Sequence, residues 1–184
     1  MGAVLARTLA GLAAAGHEVR LTDLYAEGFR PELSRDDREA HLVDHRREPD
    51  RRPEIGPYVE NLQWCTMLVV VYPTWWSGQP AMLKGWFDRV LVRGVAWDHP
   101  DGTTRLTPLL RNIRHVVGVT SHGSSKWINA IEGETGKRTL SRSVRAMCSR
   151  RCRTHWIALY TIDRSTAHQR QRFLERVEQR ISRL

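Results

Sequence analysis

Residues 67–90 read MLVVVYPTWWSGQPAMLKGWFDRV, and this order of apolar run, aromatic loop and helix start decides the fold class. Residues 67–72 form a short, uninterrupted, β-branched apolar run. That is the pattern of a parallel strand covered on both faces, not of a strand with one wet side. Pro73 stops the ladder, residues 74–79 make a loop, and Pro80 suits a first helical turn, where its missing N–H has no partner to lose. The unit is therefore strand, loop, helix, the crossover of an α/β sheet. In open sheets of this class the ligand crevice lies outside the carboxyl ends of the strands, which is where the loop carries Trp75 and Trp76.

Two adjacent tryptophans have a bland reading as core packing, since tryptophan is highly buried in most domains. Their setting opposes it. They lie between a proline and a glycine at a strand's end, where backbone N–H groups remain free to bond a planar ligand. Lys84 and Asp88 share a helical face at i and i+4 with Arg89 beside them, and as a bland reading all three are surface charges.

The segment from Pro73 to Val90 resembles the flavodoxin-like NAD(P)H:quinone oxidoreductases, relatives of the ancillary flavoproteins of glutathione-gated potassium efflux systems. The match to Pro-x-x-Trp-aromatic-x-x-Pro-Ala-x-Leu-Lys-Gly-Trp-Phe-acid-Arg-Val is nearly continuous. The resemblance implies that Pro73, Thr74, Trp75, Trp76 and Ser77 wrap the isoalloxazine ring of a flavin, FMN or FAD, with NAD(P)H as electron donor. Residues 115–120 (HVVGVT) are a second apolar strand, followed by the small-residue loop 121–125 (SHGSS) with free N–H groups. This loop looks like the family's second flavin loop and assigns Thr120, Ser121, His122 and Gly123 to the pyrimidine edge.

The family also places a tyrosine and a histidine over the flavin, and here the correspondence fails: those positions fall near Trp127 and Gly133. An indole stacks on a quinone but relays no proton. Trp127 is therefore expected as a stacking residue, and His122 as the substitute acid. The bland reading of His122 is a structural histidine.

At 184 residues the chain is expected to be a single flavodoxin-like domain over 1–184 with enough core to fold unaided. Its net charge of +9 invites a nucleic-acid reading, but only Lys84, Lys126 and Lys137 are lysines among 29 basic residues, and no stacking pattern or known module accompanies them. A solvated arginine-rich face, without nucleic acid, is the expectation. Three cysteines argue against a disulfide framework and for a reducing, cytoplasmic setting. His41 and His45 share a metal-like spacing without the glutamate of a metalloprotease, and are read as surface residues. No segment has the apolar length to span a membrane.

The remaining chain alternates. Residues 4–14 form an amphipathic helix closed by Gly16, and 17–24 a strand with Val19 and Leu21 on one face. Residues 30–57 are a charged excursion with a short helix in 35–45, and 58–64 a helical turn or two. Residues 80–92 are helix, 139–147 helix, 154–162 strand and 166–184 a closing amphipathic helix capped by Ser165. A flavodoxin-like doubly wound parallel sheet has strand order 2-1-3-4-5, its first strand central and the loop after it cradling a phosphate. The chain reads as starting inside the first helix, with the central first strand and its His-Pro-x-x-x-Ser-type loop lacking. Met1 is then an internal methionine of a longer frame. The other reading of the start is a signal peptide, since residues 13–15 resemble a cleavage site, but Arg7 interrupts the apolar stretch.

The function implied by the resemblance is a flavin-dependent NAD(P)H oxidoreductase passing electrons to a quinone-like acceptor in ping-pong fashion, as a homodimer. The alternative is a non-catalytic flavodoxin-like subunit docking on a membrane transporter, or a form unable to hold flavin.

Overall fold

The computed structural model describes residues 1–100 and 102–184. Its framework is a parallel sheet of three long strands, β1 (Met67–Pro73), β4 (His115–Ser121) and β5 (Arg153–Leu159), in the order β1-β4-β5. Register is continuous, from Met67 opposite His115 and His115 opposite Arg153 to Pro73 opposite Ser121 and Ser121 opposite Leu159. These are the third, fourth and fifth strands of the expected order. A two-stranded ribbon, β2 (Trp97–Asp98) with β3 (Thr107–Pro108), lies in the connection between β1 and β4.

Both faces of the sheet are covered, as the unbroken apolar strands require. Alternation sends Met67, Val69, Val71, Val117, Val119 and Ile157 into one core with helices α1 (Gly2–Ala14) and α8 (Ala167–Ile181). Val70, Tyr72 and Val116 enter the other with α3 (Gly56–Trp64) and α4 (Ala81–Val90). In α4, Leu83, Trp86, Phe87 and Val90 recur at i, i+3, i+4 and i+7 and are all buried. In α8, Phe173, Val177 and Ile181 do the same work at four-residue spacing. Gly11 lets α1 and α8 approach closely, since a Cβ there would lie 2.7 Å from the Glu178 carbonyl oxygen. Gly118 serves the sheet in the same way, a Cβ there falling 2.6 Å from Trp156 Cε3.

Residues 17–24 correct the sequence reading: 17–23 are irregular, with no ladder, and Val19 and Leu21 are exposed. A strand is a two-body object, and in the order 2-1-3-4-5 the second strand pairs only with the first. Across from residues 17–22 lies a groove, with β1 on its far side, so the segment has the sequence of a strand and no ladder to join.

Smaller corrections have local causes. The last helix is capped by Thr166 rather than Ser165: Thr166 Oγ1 accepts from Gln169 N–H and the Gln169 side chain accepts from Thr166 N–H, a full capping box. The helix in the excursion is α2 (Arg35–Ala40), fixed by its own capping box between Ser34 and Asp37. The predicted helix at 139–147 begins earlier, with α6 (Thr135–Arg138), and runs through a wider π turn (Thr139–Val144) into α7 (Arg145–Met147). Arg89, read as a surface charge, is buried, its guanidinium on Asp37 and Glu54. Lys84 does pair with Asp88 on the surface, at 2.6 Å.

Candidate active site

The carboxyl ends of β1 and β4 carry the two loops singled out in the sequence, and direct bonds tie them together. Thr74 N–H donates to the Ser121 carbonyl (2.9 Å), and the Thr74 and Thr120 hydroxyls meet at 2.9 Å. Thr120 is fully buried, so this hydroxyl pair sits beneath the crevice and holds its two rims together.

Beyond Thr74 the chain makes a tight hairpin, with Trp75 N–H on the Gly78 carbonyl (3.2 Å) and Gly78 N–H on the Trp75 carbonyl (2.9 Å). The two central residues, Trp76 (φ 44) and Ser77 (φ 59), are both left-handed, the requirement of a type I′ turn that Asn-Gly meets more cheaply. Each non-glycine residue there costs about 1–2 kcal/mol. The strain is sustained from outside: the Ser77 hydroxyl donates to Glu132, and the Ser77 carbonyl accepts from the Thr135 hydroxyl and, at 3.4 Å, from Gly136 N–H. Gln79 Nε2 reaches the Gly136 carbonyl at 3.1 Å. Sequence reasoning missed Glu132, Thr135 and Gly136. They lie more than fifty residues away and carry no motif, so the signal is absent from the local chain.

The indoles point outward. Trp76 is 101% exposed and Trp75 64%, which removes the core-packing reading for both. Trp127, on the short helix α5 (Lys126–Ile131), is 74% exposed, and Ile128 and Ile131 beside it are exposed as well.

His122 is placed differently from the other expected residues. Its N–H closes the sheet onto the Leu159 carbonyl at 2.7 Å, and its ring is buried, stacked on Tyr160 (4.7 Å between centroids, 13° between planes) and tilted against Trp156 at 6.1 Å. Neither ring nitrogen has a hydrogen-bond partner among the described residues. Burial lowers its pKa, with Asn129, Glu134 and Glu132 only partly offsetting it, so the ring is neutral at pH 7. Tyr160 is a further residue that sequence reasoning missed. Ser121 is buried, its hydroxyl 3.8 Å from Met1 Sδ, which places the first residues of α1 at the same edge of the sheet.

The crevice therefore offers backbone donors more than titratable groups. Trp76, Ser77, Gly123 and Ser124 N–H have no backbone partner among the described residues. Successive left-handed residues with free N–H groups make a nest suited to electronegative atoms. A thiol nucleophile is not part of it: burial pushes Cys65 up to about 11 and Cys148 up to about 12.

A family model for the flavodoxin-like fold matches residues 1–184. The chain belongs to the flavodoxin-like fold family. Among curated relatives it is similar to NAD(P)H dehydrogenase [quinone] 1 of Rattus norvegicus, at 31% identity in an alignment 121 positions long that covers 59% of this chain and 43% of the rat protein. The chain spans less than half the length of the curated relatives it matches. Among solved structures it is similar to the NAD(P)H:quinone oxidoreductase of Methanothermobacter marburgensis, with 26% identity, a TM-score of 0.78 and coverage of 98% of this chain and 89% of that one. An FMN-dependent NADH-azoreductase of Bacillus anthracis, in complex with FMN, shares the fold at 14% identity, with a TM-score of 0.71 over 98% of this chain and 90% of that one.

Proposed function

We propose that this flavodoxin-like chain is an NAD(P)H-dependent oxidoreductase that holds a flavin between the loops 73–77 and 120–123 and reduces a quinone-like acceptor. One observation carries the reading: two strand-end loops, bonded to each other through Thr74, Thr120 and Ser121, present exposed indoles and unpartnered N–H groups at one edge of the sheet. That donor set fits a flavin ring, a planar group whose polar edge consists mainly of acceptors. Its similarity to proteins named as quinone oxidoreductases points the same way.

In this reading Trp75 and Trp76 cover the ring's faces, and the N–H groups of Trp76, Ser77, Gly123 and Ser124 hold its polar edge. A bound flavin supplies two-electron hydride chemistry between a reduced nicotinamide and an acceptor. The chain's own part is to bind, to orient and to exclude water with Trp75, Trp76 and Trp127. Because His122 Nδ1 and Nε2 are enclosed by Tyr160 and Trp156, protons for the acceptor come from solvent rather than from this imidazole. The exposed Trp127, Ile128 and Ile131 beside the crevice form the contact of a homodimer.

The test is a titration of the purified chain with FMN and with FAD, followed by tryptophan and flavin fluorescence, then NADH or NADPH oxidation with a benzoquinone. Saturable quenching with acceptor-dependent oxidation supports the proposal. Flavin binding without oxidation favours the non-catalytic alternative, and no binding of either flavin overturns the assignment.

A further inference from the structure

Charge is distributed unevenly along the chain. No carboxylate occurs between residues 102 and 131 or between 135 and 162, and the second of these stretches holds seven basic side chains. The fold gathers much of this charge at the amino ends of β4 and β5. Leu110 N–H donates to the Met147 carbonyl (3.0 Å), Ser149 N–H to the Ile113 carbonyl (3.1 Å) and Arg153 N–H to the Arg114 carbonyl (2.9 Å), so residues 110–114 run beside 147–153. Arg111, Arg114, Arg145, Arg150, Arg151 and Arg153 therefore share one edge, and all six are exposed. Arg145 Nε donates to the Cys152 carbonyl at 2.9 Å and Arg111 Nε to the Pro108 carbonyl at 3.1 Å, both neutral acceptors. Among the described residues none of the six pairs with a carboxylate, whereas nine of the eleven arginines before residue 94 do. A plain excess of arginine in the composition would not sort paired from unpaired side chains in this way.

Two histidines on the same edge report its field. His115 Nδ1 and His155 Nε2 lie 3.1 Å apart, one ring donating to the other. Burial lowers both pKa values. Arg153 and His17 deepen the fall at His115, and His115, Arg180 and Arg153 deepen it at His155, with no carboxylate opposing either. The positive surface is thus uncompensated from within the chain, and its self-repulsion is relieved by an anionic partner.

The side chains present narrow the partner's chemistry. Guanidinium forks take carboxylate oxygens in pairs, which a lysine ammonium does not. None of the exposed large apolar residues lies within 107–126 or 132–184. Firm attachment to a bilayer joins an inserted apolar group to the charge, and single-stranded nucleic acid is held by bases stacking on aromatic rings. This edge supplies neither, and what it supplies suits a polypeptide rich in carboxylates.

We propose that the amino edge of β4 and β5 is a docking surface for a carboxylate-rich polypeptide segment of a partner protein. β4 is seven residues long, about 20 Å, so the partner sits a strand's length from the loops 73–77 and 120–123 and leaves the crevice open. The surface is independent of the flavin reading, since none of its residues belongs to those loops.

The experiment is a titration of the full chain, at about 0.15 M salt, with the synthetic peptide Glu-Glu-Asp-Glu-Gly-Glu-Asp-Glu-Glu, followed by calorimetry and by the C2–H resonances of His115 and His155. Saturable binding is expected, with the pKa of both histidines rising as carboxylates arrive beside them. Replacing Arg150, Arg151 and Arg153 together by glutamine should weaken binding by about tenfold or more. Replacing Arg138, Arg164 and Arg172 by glutamine removes the same charge elsewhere and should weaken it by less than about twofold. No binding at this salt, an equal loss in the two triple variants, or binding that leaves both histidines unmoved overturns the proposal. The histidine readout is taken on the unaltered chain and decides the matter even where a variant fails to fold. Tighter binding at the same salt to vesicles of phosphatidylcholine with about 30% phosphatidylserine, or to a single-stranded oligothymidylate, gives the surface to a bilayer or to nucleic acid and also overturns it.

Discussion

Replacing Asp37 by asparagine isolates the buried ion network that clamps the charged excursion onto α4. The Asp37 side chain is 3% exposed and lies between Arg52 (3.3 Å) and Arg89 (3.1 Å), themselves 7% and 10% exposed. Arg89 continues to the Arg30 carbonyl and Glu54, and Arg52 to the Arg89 carbonyl, so one carboxylate ties together residue 30, α2, the 52–54 stretch and α4. Asparagine keeps the volume and one acceptor for Ser34 but removes the charge, leaving two guanidiniums enclosed with only Glu54, at the rim, opposing them. Breaking a buried pair in this way costs about 3–5 kcal/mol. For a chain of this size each kcal/mol moves Tm by about 2–4 °C, so a fall of about 10 °C is expected. The pH dependence gives an independent check. Burial opposes ionisation of Asp37, but the N–H and hydroxyl of Ser34 and the charge of Arg89 outweigh it, and its pKa lies below the usual value. A depressed carboxyl contributes stability that is present above its unfolded pKa of about 3.9 and lost as pH falls through the folded value. Urea melts followed by tryptophan fluorescence should therefore show a wide gap between wild type and variant at pH 7 that narrows below about pH 4. A variant within about 0.5 kcal/mol of wild type at pH 7, or a gap that does not change with pH, would refute the clamp.

Trp76→Ala should change stability by less than about 0.5 kcal/mol, because the indole buries nothing, while weakening flavin binding several-fold; Trp86→Ala, at a buried site, should cost about 3–5 kcal/mol. Thermal melts and flavin titrations of the two variants check this, and a large Tm loss in Trp76→Ala would return it to the core. Trp75→Ala is expected to follow Trp76→Ala, and a full flavin complement in both would remove the loop from the site. Gly118→Ala places a methyl 2.6 Å from Trp156 Cε3 and 2.8 Å from Leu140 Cδ1, and should destabilise by about 1–3 kcal/mol in denaturant melts. The His122 imidazole should titrate below the ordinary histidine value of about 6.5, read from its C2–H resonance; a normal or raised value would mean that the ring leaves its stack on Tyr160.

What was legible in the chain was local. The strand, loop and helix of 67–90 follow from an apolar run, a proline, a glycine and a four-residue stripe, each acting within a few residues of itself, and β1 and α4 lie where those signals put them. The same holds for the 115–120 strand and for α8, whose cap moved by one residue because Thr166, not Ser165, has a glutamine three residues on. Residues whose setting depends on distant partners were misread. Arg89 has the spacing of a surface charge, and only the fold brings Asp37 beside it. Nothing within a few residues of Ser77 announces Glu132 or Thr135, yet these hold its left-handed backbone in place.

The amino-acid sequence alone determined the α/β class, the family and the two loops at one sheet edge, because these depend on periodicity, turn chemistry and a contiguous motif. Tertiary structure alone decided whether each of those pieces is used. It turned the indoles of Trp75 and Trp76 outward and the ring of His122 inward, and it left residues 17–23 without a ladder. A strand's hydrogen bonds belong to two segments at once, so the strand-like residues 17–24 remain irregular beside a groove that keeps them from β1.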